Sequence, residues 1–270
     1  KGNNLSLYLL ELFTSQVAKV GMTDGIRQVL QEESDALRAY YEQAGILIAR
    51  PAGGTSCRLA ISAKGGTNAE NHNHNDVGSY AVALGSETMV GDQGGPNSYP
   101  GDYFNGDAPQ KYKIKGSFGH PVPVVDGRTQ SSGGKAKGVV LQKEFTNEKD
   151  VFSIDYTSAY STPNLDKLIR TFVYDRQGKG NFTVGDEFTA KTPIRFETAI
   201  TTRADWKVLD DTHLLLATDS EQMIVAIDAS GKVAFTSETI EVNSPAYTRI
   251  GIALKNQSKE GYIRLKMYTK

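Results

Sequence analysis

Two histidines one residue apart, His72 and His74, stand in the stretch NHNHNDVGSYAVALGSETMVGDQGG, Asn71 to Gly95. The chain has only 4 histidines in 270 residues, so the pairing asks for a chemical reason. Zinc takes imidazole nitrogen and carboxylate oxygen in near-tetrahedral geometry. Asp92 closes the apolar run that follows the pair. His74 and Asp92 lie at the two ends of a predicted hairpin, which brings positions 18 apart (92 − 74) face to face. His120, in KGSFGHPVPVVDG, is held between Gly119 and Pro121 at a strand start or sharp turn. His74, Asp92 and His120 are therefore candidate ligands carried on strand ends, with zinc as the candidate ion. His72 is left over beside them and is free to move protons.

A second reading fits the same residues. Asn71, Asn73 and Asn75 satisfy irregular backbone and tolerate positive φ, so the segment can also be a polar turn whose histidines bond only the backbone. A cupin reading fits poorly, because the positions after His74 are Asn75, Asp76, Val77, Gly78 and Ser79, with no glutamate among them. There is no G-x-S-x-G and no G-x-x-x-x-G-K-[ST] motif, which removes serine-hydrolase and P-loop chemistry. His213, in DTHLLLA, reads as a structural histidine.

The elements that must position these groups change character near residue 45. Before it, Leu5, Leu9, Leu12 and Phe13 have helical spacing behind a possible Asn4 cap. A second predicted helix starts at Ser34, buries Ala36, Leu37, Tyr40 and Tyr41, and stops at Gly45. After Gly45 short strand patterns follow one another: ILIAR, CRLAISA, SYAVAL, ETMVG, VPVVDG, GVVLQKEF and more, punctuated by Gly, Pro and Asn. LIRTFVYDRQGKGNFTVGDEF reads as a hairpin around RQGKG, and the Gly-rich run Ser131 to Gly138 reads as a mobile loop. The expected fold is mainly β: a large antiparallel two-sheet sandwich over residues 45–270, with a short helical segment over residues 1–44. With 30 Lys plus Arg against 31 Asp plus Glu, the net charge of −1 argues against a general nucleic-acid or anionic-membrane binder. No apolar run reaches the length of a membrane span. Cys57 is the single cysteine and makes no internal disulfide. The chain opens at Lys1-Gly2 and reads as a piece of something longer.

The run HNHNDVGSYAVALGSETMVGDQGG followed by GHPVPVVDG resembles the C-terminal part of heparinase II/III-like polysaccharide lyases, a group that includes heparin and oligoalginate lyases. The resemblance covers residues 45–176 in motifs and the remainder in strand pattern. It implies that His72 is catalytic and that His74, Asp92 and His120 hold zinc. Pro121 stands where the family's pattern has asparagine. The resemblance also implies an α/α toroid before the sandwich, of which residues 1–44 are the tail, so that this chain holds half an active site and has little activity alone. It implies β-elimination from an acidic polysaccharide or oligosaccharide of alginate or glycosaminoglycan type, in the periplasm or outside the cell. Hydrogen bonds or positive charge must neutralise the uronate carboxylate, and a histidine or tyrosine must pass protons. Within that scheme Tyr103 is the candidate catalytic tyrosine. Tyr99, Arg128 and Gln130 are candidate substrate contacts, and Tyr112 is expected to pack in a strand. The rival reading is a non-catalytic carbohydrate-binding or scaffolding sandwich with a zinc staple, which needs no spare His72.

Overall fold

The computed structural model describes residues 36–70, 72–92, 94–241 and 246–270. Among them a five-stranded sheet has the order β1 (Arg38–Tyr41), β2 (Ile46–Ala49), β3 (Leu59–Lys64), β5 (Tyr80–Leu84) and β6 (Glu87–Val90). An eight-stranded sheet has the order β14 (Asp205–Asp210), β15 (His213–Ala217), β16 (Gln222–Ala229), β19 (Ser258–Thr269), β12 (Asn181–Ile194), β11 (Leu165–Asp175), β10 (Lys149–Asp155) and β9 (Val139–Phe145). A four-stranded sheet has the order β17 (Val233–Ile240), β18 (Tyr247–Leu254), β13 (Phe196–Thr202) and β7 (Val124–Val125). A short ribbon pairs β4 (Thr67–Asn68) with β8 (Gly133–Lys137). The strand pairings are antiparallel, including the expected hairpin of β11 and β12.

The two layers follow from period-two burial. In β3, Leu59, Ile61 and Ala63 point inward, and in β12 Phe182, Val184, Asp186 and Phe188 do so. Phe152, Phe172 and Phe182 stack across three adjacent strands of the large sheet, at 5.9 and 6.2 Å between ring centroids. Tyr80 on β5 meets Phe172 and Phe182 from the opposite layer. Phe188 and Phe196, 4.6 Å apart, join β12 to β13. The second layer is continuous: the Gly91 N–H donates to the Thr201 carbonyl at 3.0 Å, and the Thr201 and Thr202 hydroxyls donate to the carbonyls of Gly91 and Met89. One apolar core runs between the layers. Cys57 is buried in it, 3% exposed, behind the Tyr174 hydroxyl and the turn glycine Gly180.

Two expectations are corrected. Of the helix predicted from Ser34 to Gly45, the described residues 36–45 instead form strand β1 and the turn that leads into β2. The cause is tertiary: Tyr40 packs on Phe145 and Phe152, and the Arg38 guanidinium bonds the Asp150 carboxylate at 2.8 Å, so the sheet overrides the helical spacing. Strand pairing therefore begins before residue 45. The remaining residues of the predicted helical segment, 1–35, lie outside the described residues. The run Ser131 to Gly138, read as a loop, contains β8. Its pairing with β4 and the burial of Ala136 hold it in place.

Candidate metal centre and active-site cleft

The loop that carries the histidine pair runs from β4 to β5 and is held by buried amides. Asn68 accepts bonds from the Asp76 and Val77 N–H groups through Oδ1, at 3.0 and 3.3 Å. Gln130 accepts from the Val77 N–H at 3.1 Å and donates to the Val77 carbonyl at 2.7 Å. Its Oε1 also accepts from Asn68 at 2.9 Å. Asn75 donates to the Ser132 hydroxyl at 3.0 Å, and its own N–H bonds the Lys115 carbonyl at 2.9 Å. Buried backbone groups need partners, and here side chains supply them where no strand pairing can.

A buried ion pair holds two ligand segments at once. Arg170 and Asp186 face inward at opposed positions of β11 and β12. The Arg170 guanidinium donates to both carboxylate oxygens, at 2.7 and 2.6 Å. The same guanidinium donates to the Gly78 and Pro121 carbonyls, both at 2.7 Å. Gly78 ends the loop that carries His74, and Pro121 follows His120. The Tyr156 and Thr198 hydroxyls donate to the remaining lone pairs of Asp186, at 2.6 and 2.7 Å. A buried charge pair with full hydrogen bonding fixes geometry, and breaking it leaves an uncompensated charge.

The structure brings His74, Asp92 and His120 together, with one candidate ligand atom from each lying within 4.8 Å of the others. The His74 and His120 rings are 5.2 Å apart between centroids. His120 Nδ1 is 3.5 Å from Asp92 Oδ2. His120 is 1% exposed, yet neither of its ring nitrogens has a hydrogen-bond partner. A buried imidazole with two orphan nitrogens beside a carboxylate and a second imidazole is the donor set of a metal site, and the cluster can hold a metal ion. Burial and the neighbouring His120 push the His74 imidazole down to about 4, so it stays neutral, as a ligand must. Burial pushes the Asp92 carboxyl up, but His120, His74 and the Gly94 N–H outweigh it and leave it below its ordinary value.

His72 faces the other way. It is exposed, and its backbone has φ of +61°, a left-handed conformation uncommon for a side chain of this size. Its ring lies 4.9 Å from that of Phe104. The two line a cleft of about 290 Å³ with Asn68, Asn73, Asn75, Asn105, Gly106, Pro109, Lys115 and Ser132.

The other candidates are placed differently from one another. Tyr103 is 1% exposed and is absent from the cleft lining; its hydroxyl lies 3.0 Å from His74 Nε2. Its hydroxyl thus faces a candidate metal ligand rather than the cleft. Burial, with Tyr99 and Asp92 nearby, raises the Tyr103 phenol and keeps it protonated. Gln130, expected on substrate, is 4% exposed, and its amide is consumed in bonds to Asn68, Val77 and Tyr160. It orders the histidine loop instead. Tyr99 is exposed on the same aromatic cluster, 5.1 Å from both Tyr103 and Phe104. Arg128 is exposed beyond the tight turn made by Asp126 and Gly127, and it does not line the cleft. Tyr112 packs on Tyr103 and donates to Asp102, at the end of the short helix Ala108–Lys111 rather than in a strand.

Lys115 was not singled out by the sequence. It is 7% exposed, sits 4.8 Å from the Tyr103 ring centroid and 5.1 Å from that of Phe104, and donates to the Tyr103 carbonyl. Burial holds its ammonium below the ordinary value. The signal available in the sequence was the second of two lysines between aromatic residues in the run YKIKGSF.

No family model matches the chain, and no curated protein matches it. Solved structures do. The heparan sulfate lyase HepC from Pedobacter heparinus superposes with a TM-score of 0.71 at 15% identity, over 97% of this chain and 42% of its own. Heparinase III superposes with a TM-score of 0.67 at 18% identity, over 86% of this chain and 36% of its own. A heparinase III described as the BT4657 gene product gives 0.67 at 12% identity, over 90% and 38%. The chain thus spans between 36% and 42% of the length of these structures, and the likeness is one of fold. The described residues, with their antiparallel layers, have the fold of a heparinase-like polysaccharide lyase domain.

Proposed function

We propose that this chain is the β-sandwich part of a lyase that cleaves uronate-containing polysaccharide by β-elimination. The observation that carries the reading is the placement of His72. It is exposed in a polar cleft, two positions from His74 in a candidate metal cluster whose His74 is half-buried and whose His120 is buried. A zinc staple alone has no use for it.

β-Elimination removes the proton at C5 of a uronate and expels the O4 substituent. The proton leaves readily only when the neighbouring carboxylate is neutralised and the developing negative charge has hydrogen-bond donors. His72 meets the sugar in the cleft. Its role is one of two: as a neutral imidazole it takes the C5 proton, or as an imidazolium it neutralises the carboxylate while another group takes the proton. The amides of Asn105 and Asn73 line the same wall as candidate donors. Two imidazoles and a carboxylate suit zinc, which when bound at His74, Asp92 and His120 supplies rigidity to the loop that presents His72.

The fold is shared with structures named as heparinase III and heparan sulfate lyase, which favours a glycosaminoglycan-type substrate; alginate has the same reacting group. Such polymers lie outside the cytoplasm, so the protein acts in the periplasm or is secreted. No helix of the described residues is long and apolar enough to cross a membrane. Because the chain spans at most 42% of the lyases it resembles in fold, the full-length protein carries the activity and the 270-residue chain alone has little.

Absorbance of the unsaturated uronate product tests this reading. The full-length protein releases product from at least one of heparan sulfate, hyaluronan and alginate, and His72→Ala lowers the rate about a hundredfold or more. A protein that releases none, or one indifferent to the loss of His72, returns the chain to the binding-module reading.

A further inference from the structure

We propose that the Lys115 ammonium anchors an anionic group of the substrate, specifically a uronate carboxylate, in the cleft beside His72. The inference rests on the lyase reading and deepens it.

Among the described residues, the cleft lining has one permanent cation and no carboxylate. An ammonium carries three N–H donors. For Lys115 one goes to the Tyr103 carbonyl, and no carboxylate among the described residues lies within ion-pair distance. Buried lysines are ordinarily paired, because a desolvated charge without a counter-ion is costly. Here the charge is 7% exposed and is held against the faces of Tyr103 and Phe104. Ring faces stabilise a cation but do not discharge it. An incoming carboxylate therefore meets a compact positive charge with unused donors in a poorly solvated site, where attraction is strongest. Phe104 is 52% exposed and offers an apolar face to a sugar ring at the same place. The anchor is also tied to the histidine loop, since the Lys115 carbonyl accepts from the Asn75 N–H. With the carboxylate on Lys115, His72 is left to take the C5 proton.

Calorimetric binding tests this on the protein as it stands. The probes are a heparosan tetrasaccharide and an oligoalginate tetrasaccharide, each as the free acid and as its carboxyl methyl ester. The wild type binds at least one acid ten or more times tighter than its ester. Lys115→Gln, which retains a donor for the Tyr103 carbonyl, removes that preference and leaves ester affinity unchanged. Lys115→Arg retains the preference. Metal content and melting temperature report that the variants are folded, a readout that a purely structural clamp would lower. If the glutamine variant does not fold, the Lys115 ammonium resonance of 15N-lysine-labelled wild type takes its place: it shifts with the acid and not with the ester. A preference that survives Lys115→Gln, a wild type without preference, or an unmoved resonance overturns the inference. The product assay reads the lyase proposal separately. A Lys115-dependent preference without product keeps the anchor and removes the lyase, whereas product without that preference does the reverse.

Discussion

The Tyr103 hydroxyl stands 3.0 Å from His74 Nε2, inside an aromatic cluster that leaves the tyrosine 1% exposed. A hydrogen bond to one nitrogen of a ligating histidine sets its tautomer and orientation and leaves the other nitrogen to the metal. Tyr103→Phe keeps the ring and removes that bond. Metal affinity in a chelator competition falls about 10- to 100-fold, with the fold retained. Tighter binding in the variant would show instead that the hydroxyl competes with the metal for His74.

The cluster itself predicts stoichiometry. Purified protein carries about one metal ion per chain by elemental analysis, and the double variant His74→Ala, His120→Ala carries almost none. Wild-type zinc content in that variant would falsify the ligand assignment.

Acid should destabilise the metal-free protein through the same histidine. His74 is held down to about 4 in the folded state, against about 6.5 in an unfolded chain. The unfolded chain therefore binds the proton first. Stability from His74 is complete above pH 6.5 and is lost as pH falls toward 4. Denaturant midpoints of metal-free wild type drop across this window, and those of His74→Asn drop less. Equal slopes for the two would remove His74 as the cause.

His72 is held with φ of +61°, and left-handed backbone costs a non-glycine residue about 1 kcal/mol. His72→Gly therefore raises unfolding stability by roughly that amount, less the entropy that glycine adds to the unfolded chain. In the full-length protein the same change is expected to lower the proposed elimination about a hundredfold or more. A stabilised, inactive variant is the expected pair of results; a destabilised one would mean that the ring's contact with Phe104 outweighs the backbone strain.

Arg170 links Gly78, Pro121 and Asp186, so Arg170→Met leaves a buried carboxylate with its hydroxyl partners alone. Thermal or denaturant unfolding shows a loss of about 3–5 kcal/mol. Metal affinity falls with it, because both ligand segments lose a common tether. A metal site unaffected in a destabilised variant would separate the ion pair from the centre.

The juxtaposition of His74, Asp92 and His120 was legible because residue type and hairpin geometry agree: His74 precedes β5 and Asp92 follows β6, so the turn between them returns the chain. Arg170 and Asp186 were legible in principle. Each interrupts an inward apolar row, and folding the β11–β12 hairpin at RQGKG sets them opposite one another. The strand at Tyr40 was hidden, since the spacing of Leu37, Tyr40 and Tyr41 fits a helix and only Phe145 and Phe152, distant in sequence, decide otherwise. The roles of Tyr103 and Gln130 were hidden for a related reason. Both are polar side chains in turn-rich segments, and the partners that bury them lie 29 and 53 positions away. Lys115 needed the folded aromatic cluster before its isolation from carboxylates could be seen.

Cys57 gives the molecule an internal clock. Its thiol is packed under Gly180, where even a methyl group would collide with the sulfur, and against the Tyr174 hydroxyl. A disulfide reagent reaches it only when the segment leading into β3 and the β11–β12 turn part. With no second thiol in the chain, the labelling rate is a single exponential that counts those openings. Slow labelling that accelerates in step with denaturant would time the separation of the two layers, without any probe having to be introduced.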